Sequence, residues 1–260
     1  MIRIMTGWSN KGGSTTAFIA LTNTLNAAGY DTTLYGPHTW HLDKCKSGML
    51  DDKLKTNKDD SLIYHFLQLP SKPIAKKVLL SCHEKDLYPV GKVKPFWDEV
   101  IFINQRHREY HNEYKGVFRI IPNLKASLKK SDKTGLEKVA GVIGSFDANK
   151  QTHISIGRAL SEGCETIYLF GEPNTPYYHS HVEPLVGDGV IVKGFMEDKQ
   201  AMYDMIGCAY QSSKSEVACL VKDECETTGT IFHGNEATDN PPNLLTNEEI
   251  IEQWVKALNI

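Results

Sequence analysis

Short apolar runs that end in glycine, histidine or serine, several of them followed by a stretch of helical period, constrain this chain more than any other feature. Ile2-Arg-Ile-Met-Thr-Gly7 reads as a buried strand, residues 15–28 carry Phe18, Ile19, Leu21 and Leu25 at helical spacing up to Gly29, and residues 31–35 give the next strand. Further strands are expected at 61–66, 77–83, 99–104, 139–145, 165–171, 190–196, 209–213 and 230–234, with helices at 152–160 and 199–207. Strands alternating with helices make parallel α/β units. The stretch 42–60 is polar and without period, and reads as an exposed loop or short helix.

The run breaks once. Residues 125–136 are rich in Lys and Ser and carry no apolar period, so they read as a linker between a unit at 1–124 and a second at 137–245. Thr246-Asn-Glu-Glu then opens a capped amphipathic helix over 246–260, bearing Ile250, Ile251, Trp254 and Leu258 and expected to pack back on the first unit. A chain of 260 residues with 40% hydrophobic content can bury two small cores.

Net charge is unevenly placed: residues 1–136 carry +8 and residues 137–260 carry −11. A basic half suggests an anionic partner, nucleic acid or a phospholipid surface; mutual attraction of the two halves is the alternative. No apolar run approaches the ~20 residues of a membrane span, and the first residues lack a signal-peptide layout. A cytosolic protein is therefore expected, with peripheral membrane attachment left open. Cys45, Cys82, Cys164, Cys208, Cys219 and Cys225 form no C-x-x-C pair, which argues for reduced thiols and against structural zinc.

Two carboxylates eight apart, Glu216 and Glu224, lie in Ser213-Lys-Ser-Glu-Val-Ala-Cys-Leu-Val-Lys-Asp-Glu224 ahead of Gly229. The layout suggests a helix with Glu216 at its mouth and Glu224 about two turns in. The N–H groups of Ala218, Cys219 and Leu220 would then face outward at the helix start, where orphan donors and the macrodipole attract a phosphate. A carboxylate behind a phosphate site is placed to accept ribose hydroxyls. Glutamates at this spacing are also common on solvated helices.

The turn after the first strand, Gly7-Trp-Ser-Asn-Lys-Gly12-Gly13-Ser-Thr-Thr, lets a ligand approach backbone at a helix start, or makes only a tight corner. Its Asn10-Lys-Gly-Gly segment is similar to the variant Walker loop of ParA-like ATPases but lacks the second Gly-Lys, so the phosphate cradle has no cation and ATP hydrolysis is not expected. Strand ends of an open α/β sheet collect functional groups, which singles out His65 and, more strongly, His83. The His107/His111 pair on Arg106-His-Arg-Glu-Tyr-His111 is not H-E-x-x-H and reads as a solvated basic helix face.

Taken in order, the Gly12-Gly13 turn, the strand-end His83, Ile121-Pro-Asn123, Gly144-Ser145 with Lys150, Gly194-Phe-Met196 and Glu216-x7-Glu224 resemble the motifs of retaining GT-B glycosyltransferases, above all family 4. The resemblance implies a GT-B fold, two Rossmann-like domains facing across a cleft, and transfer of a sugar from a nucleotide-sugar donor, a UDP-sugar first, to an acceptor hydroxyl. By it Glu224 holds the ribose, and Lys150 with the amides of Ala218, Cys219 and Leu220 neutralises the diphosphate. Glu216 supports the donor sugar, the backbone at Met196 lies against the base, and His83 with Gly12 and Gly13 contacts the sugar from the other domain. Ser145 stands where the family has an arginine. No metal or resident cofactor is expected, since the family generally needs none and no Asp-x-Asp is present. The basic first half favours an anionic acceptor, nucleic acid or a membrane glycolipid. An epimerase on the same fold and a nucleotide-binding module without turnover are the rivals.

Overall fold

The computed structural model describes residues 1–9, 11–51, 54–67, 69, 71–85 and 95–260. The chain divides into two compact units, Met1–Leu124 together with Asn243–Ile260, and Lys125–Pro242. In the first unit β1 (Ile2–Thr6) leads through α1 (Gly13–Ala27) to β2 (Thr32–Gly36). There follow β3 (Ser47–Met49), β4 (Ser61–His65), β5 (Lys77–Ser81), β6 (Glu99–Phe102), α2 (Gln105–Tyr110) and β7 (Phe118–Ile120). Every strand pairing is parallel and the order is β3-β2-β1-β4-β5-β6-β7.

The strands are apolar on both faces, as a covered parallel sheet requires. Ile4, Leu34, Ile63, Leu79 and Ile101 face one core, while Leu62, Tyr64, Val78, Leu80, Val100 and Phe102 face the other, following the two-residue period of a strand. The stretch 42–60 corrects the sequence expectation: it contributes β3, a three-residue edge strand paired with β2 from Leu34 to Gly36. α2 is a second correction. His107 is fully buried and His111 nearly so, both against Phe102 with ring centroids 5.3 and 5.4 Å away, so this face is packed, not solvated.

The second unit runs β8 (Val139–Ile143), α3 (Thr152–Ser161), β9 (Thr166–Phe170), β10 (Val190–Val192), α4 (Lys199–Asp204), β11 (Cys208–Tyr210), α5 (Leu220–Thr228) and β12 (Ile231–His233). Its parallel sheet has the order β10-β9-β8-β11-β12. Ile156 and Ala159 of α3 bury against Val142, Ile167 and Leu169, while Met202, Tyr203 and Cys225 of α4 and α5 cluster with Phe170 and Ala209. Helices therefore cover both faces.

Residues 125–136, expected as a linker, belong to this unit and are bonded along it. Lys129 N donates to Gln200 Oε1 at 2.8 Å, Ser131 N to Thr228 O at 3.0 Å, and Lys133 Nζ to Tyr203 O at 2.6 Å. The chain returns to the first unit at Asn243 and ends in α6 (Asn247–Leu258), opened by a reciprocal capping box between Thr246 and Glu249. Ile250, Ile251, Trp254 and Leu258 are buried with Ile2, Ile4, Phe18 and Leu25, each such side chain worth roughly 1.5–3 kcal/mol of transfer free energy. Among the described residues no helix is long and apolar enough to cross a membrane.

Candidate functional site

In the second sheet the strand order reverses at β8, which has β9 on one side and β11 on the other. Open α/β sheets bind ligands beyond the carboxyl ends of the strands that flank such a reversal, because the two following loops diverge there. Lys150, from the loop after β8, and Glu216, from the loop after β11, form an ion pair across this point. Glu216 Oε1 also accepts from Ser213 Oγ at 2.6 Å and Gln211 Nε2 at 3.0 Å, and the carboxylate side chain is only 10% exposed. The two loops are tied further by Asn149, whose side chain accepts from Ser215 N at 3.1 Å and donates to Ser215 O at 3.0 Å.

Ser145 is exposed and donates its hydroxyl to Asp147 Oδ2 at 2.5 Å, while Asp147 Oδ1 accepts the amides of Asn149 and Lys150 at 2.9 and 2.8 Å. The loop where the family resemblance calls for an arginine thus carries a hydroxyl turned onto a carboxylate. Met196 lies beyond β10, partly buried against the Tyr203 cluster.

The helix of the paired glutamates begins later than its sequence suggests. Cys219 is the N-cap of α5, so Glu216 sits in the preceding loop and Glu224 is the fifth helical residue, little more than one turn in. Gly229, at φ 74°, stops the helix in the left-handed region that glycine adopts without a Cβ penalty. The Cys219 amide, expected to face a ligand, instead donates to Asn240 Oδ1 at 2.8 Å. The amides of Ala218 and Leu220 have no acceptor among the described residues. Burial, reinforced by Glu216, pushes the Cys219 thiol up to about 12, so it stays neutral and is no nucleophile.

Glu224 is buried at 7% exposure and held by two groups that sequence reasoning missed. Lys199, the first residue of α4, pairs with Oε1, and Tyr203, one turn further on, donates to Oε2 at 2.9 Å. Burial and the Glu224 charge raise the Tyr203 phenol well above its ordinary value, so it remains a donor. Two hydrogen bonds leave this carboxylate further lone pairs, since the two oxygens offer about four. The i, i+4 spacing of Lys199 and Tyr203 was the available signal, but nothing local says that Glu224 is what they meet.

The first unit has its own reversal, at β1 between β2 and β4. Thr6 Oγ1 and His65 Nδ1 lie 2.8 Å apart there, and His65 Nε2 is 2.9 Å from Glu84 Oε1. His83 is half-buried, its ring 4.8 Å from that of Phe18 and 5.2 Å from that of His65. Burial, with the adjacent His65 charge, brings the His83 pKa down to about 3, so the ring is neutral. Burial would raise Glu84, but the hydrogen bond and charge of His65 outweigh it and hold the carboxyl below its usual range. Of the two strand-end histidines, His65 is the one fully enclosed and bonded through both ring nitrogens. Gly12 is the N-cap of α1, where a Cβ would meet nothing within 4 Å, and Gly13 is the first helical residue; Asn10 of this loop lies outside the described residues.

No protein-family model and no curated protein matches this chain. Among solved structures it is similar to Anabaena HepE in complex with UDP and glucose, with a TM-score of 0.68 at 13% identity over 92% of this chain and 81% of that one. It is also similar to WaaG, a glycosyltransferase involved in lipopolysaccharide biosynthesis, with a TM-score of 0.65 at 13% identity over 100% and 91% of the two chains. AviGT4, a glycosyltransferase involved in avilamycin A biosynthesis, gives 0.56 at 11% identity over 99% and 88%. The fold is that of these glycosyltransferases. They are GT-B proteins, and the two parallel α/β units of this chain fit that fold class.

Proposed function

We propose that this protein is a GT-B glycosyltransferase that moves a sugar from a nucleotide-sugar donor, a UDP-sugar first, to an acceptor hydroxyl with retention and without a metal. The observation that carries the reading is the Lys150–Glu216 pair at the strand reversal of the second unit, with Glu224 on the helix that starts beside it. The complex of HepE with UDP and glucose supports it through a shared fold.

In this reading the second unit holds the donor and the first the acceptor. Lys150 leaves Glu216 for the diphosphate and offsets the charge that grows on the leaving group, aided by the Ala218 and Leu220 amides. Glu216, free of that cation, accepts from the donor sugar's hydroxyls and supports positive charge at the anomeric carbon. Glu224 accepts from the ribose, and the backbone at Met196 flanks the base. His83, neutral, donates to or accepts from the donor sugar beside Gly12 and Gly13. Catalysis is then orientation plus electrostatic stabilisation of an oxocarbenium-like state. The positive balance of residues 1–136 favours an anionic acceptor, nucleic acid or a membrane glycolipid.

Thermal unfolding in the presence of UDP-, GDP-, ADP- and CMP-sugars tests the reading. A donor at a hundred times its Kd adds about 2.7 kcal/mol to native stability, and Lys150→Ala should abolish the shift. No shift with any of the four sinks it. One observation favours a second reading, a nucleotide-binding module without turnover: the Asp147 carboxylate and Ser145 occupy the loop where a phosphate-binding arginine is expected. Sugar transfer that is lost in Glu216→Gln while nucleotide binding persists excludes that module.

A further inference from the structure

We infer that Trp8 is a stacking platform for a sugar ring, with His38 at its rim, so that the acceptor meets the first unit through a saccharide. The inference rests on the transfer reading above only in calling that saccharide the acceptor. It narrows the acceptor to one that presents a sugar, a free glycan or the head of a glycolipid, over nucleic acid. A pyranose carries C–H groups on its faces and hydroxyls around its edge. The negative π-face of an indole attracts the first, and hydrogen-bonding groups beside the indole satisfy the second.

Three loops at the strand reversal of the first unit each contribute one ring: Trp8 after β1, His38 after β2 and Phe66 after β4. The rings of His38 and Phe66 stand nearly perpendicular to the indole, at 80° and 70° with centroids 6.2 and 6.1 Å away, and among the described residues none is stacked on it. A side chain of this size is ordinarily buried, yet Trp8 is 45% exposed. Its backbone is fixed all the same. Trp8 N donates to Thr6 Oγ1 at 3.1 Å, Thr6 Oγ1 donates to Trp8 O at 2.7 Å, and Gly7 N donates to His65 O at 3.0 Å. The fully buried Ser9 accepts His38 N on its hydroxyl at 2.8 Å, which ties the loop after β1 to the loop after β2. Phe66 sits at φ 51°, a left-handed conformation that a bulky residue adopts at a cost and that clusters at functional sites. An open indole on a rigid mount loses little freedom when a ring settles on it. His38 is exposed and neither of its ring nitrogens has a partner among the described residues, so one can donate to a hydroxyl and the other accept from one. Segments 7–9, 36–41 and 65–67, which carry the rings, hold no Lys or Arg, whereas a nucleic acid stacked on an indole brings phosphates that call for cations. A neutral sugar is the better match.

Fluorine NMR of the protein labelled with 5-fluorotryptophan tests this, the Trp8 signal being the one that Trp8→Phe removes. The probes are the methyl glycosides of glucose, galactose, mannose and N-acetylglucosamine, phosphatidylcholine vesicles with and without a glucosyl diacylglycerol, and a single-stranded oligonucleotide. At least one sugar-bearing probe should shift the Trp8 signal saturably. By saturation-transfer NMR, Trp8→Ala should weaken that probe about 10-fold, and Trp8→Phe, which keeps a π-face, by less than about 3-fold. His38→Ala should weaken it about 3–10-fold through the lost hydrogen bonds. Tighter binding of the glycolipid vesicles than of any methyl glycoside makes the acceptor a glycolipid, and the reverse makes it a free glycan; both support the platform. No saturable shift with any sugar-bearing probe, a shift with the oligonucleotide alone, or unchanged affinity in Trp8→Ala overturns the inference. Thermal unfolding with UDP-sugars keeps the two readings apart. A UDP-sugar shift in a protein that binds no sugar at Trp8 leaves the donor reading standing, and sugar bound at Trp8 in a protein that no nucleotide-sugar stabilises leaves the platform alone.

Discussion

The first unit should lose stability on mild acidification because it keeps two histidines neutral. His107 accepts from Ile103 N through Nδ1 at 3.3 Å and reaches Glu84 O through Nε2 at 3.2 Å, a pattern that only the neutral ring with its proton on Nε2 satisfies. Burial, aided by the neighbouring His111, lowers its pKa to about 4 despite the Glu84 carbonyl, and His83 stands at about 3. Both values lie below the 6.5 of an unfolded histidine, so as pH falls below 6.5 the unfolded chain takes up protons that the native state refuses. Stability is therefore full above that pH and drains away toward pH 4. Between pH 7 and pH 5 each ring costs about 2 kcal/mol, together about 4 kcal/mol. The depressed carboxyls of Glu84 and Asp98 contribute only further down, as pH falls below their unfolded range and through their folded values. All four tryptophans, at 8, 40, 97 and 254, lie in the first unit, so urea unfolding followed by tryptophan fluorescence at pH 7, 6 and 5 reports on it selectively. His83→Gln and His107→Gln should each reduce the slope of stability against pH by about 1 kcal/mol per unit averaged over this range. Variants that retain the wild-type slope would refute the reasoning.

Three further outcomes are expected of the fold. Gly7→Ala places a Cβ 2.2 Å from the Phe66 carbonyl oxygen and should cost at least about 1–3 kcal/mol in the same urea assay. Trp254→Ala empties the contact of α6 with the first core and should cost about 3–5 kcal/mol. Thr246→Ala removes the oxygen that accepts Glu249 N and should cost about 1 kcal/mol, with the unfolding midpoint lowered and its denaturant slope unchanged.

Most of the parallel strands were legible because each is a run of apolar residues long enough to show, such as residues 61–65 and 77–81, but β7, at Phe118–Ile120, was not among the strands expected. Nor was the strand at 47–49, since Ser47, Gly48 and Met49 carry no pattern and are held there by pairing with β2. The Arg106 and Arg108 that flank His107 made its helix look solvated; Phe102, on the preceding strand, decides otherwise. The glutamate spacing placed Glu216 and Glu224 on the same stretch, but local rules put the helix start too early. Ser213 and Glu216, three apart, resemble the ends of a capping box, yet here the serine hydroxyl bonds the glutamate side chain and the helix waits for Cys219. Lys150 was legible only through the motif register, and Lys199 and Tyr203 not at all, because their partner is Glu224, 25 and 21 positions away.

The return of the chain to the first unit at Asn243 bears on how the molecule is made. The second unit is one uninterrupted stretch and has all its strands once residue 242 has been added, whereas the core of the first, which joins Ile2 and Ile4 to Phe18 and Leu25, is complete only when Trp254 and Leu258 are added. Of the two units, the one whose strands are translated first is thus the one completed last, and its unfinished core is what a chaperone would meet in the interval.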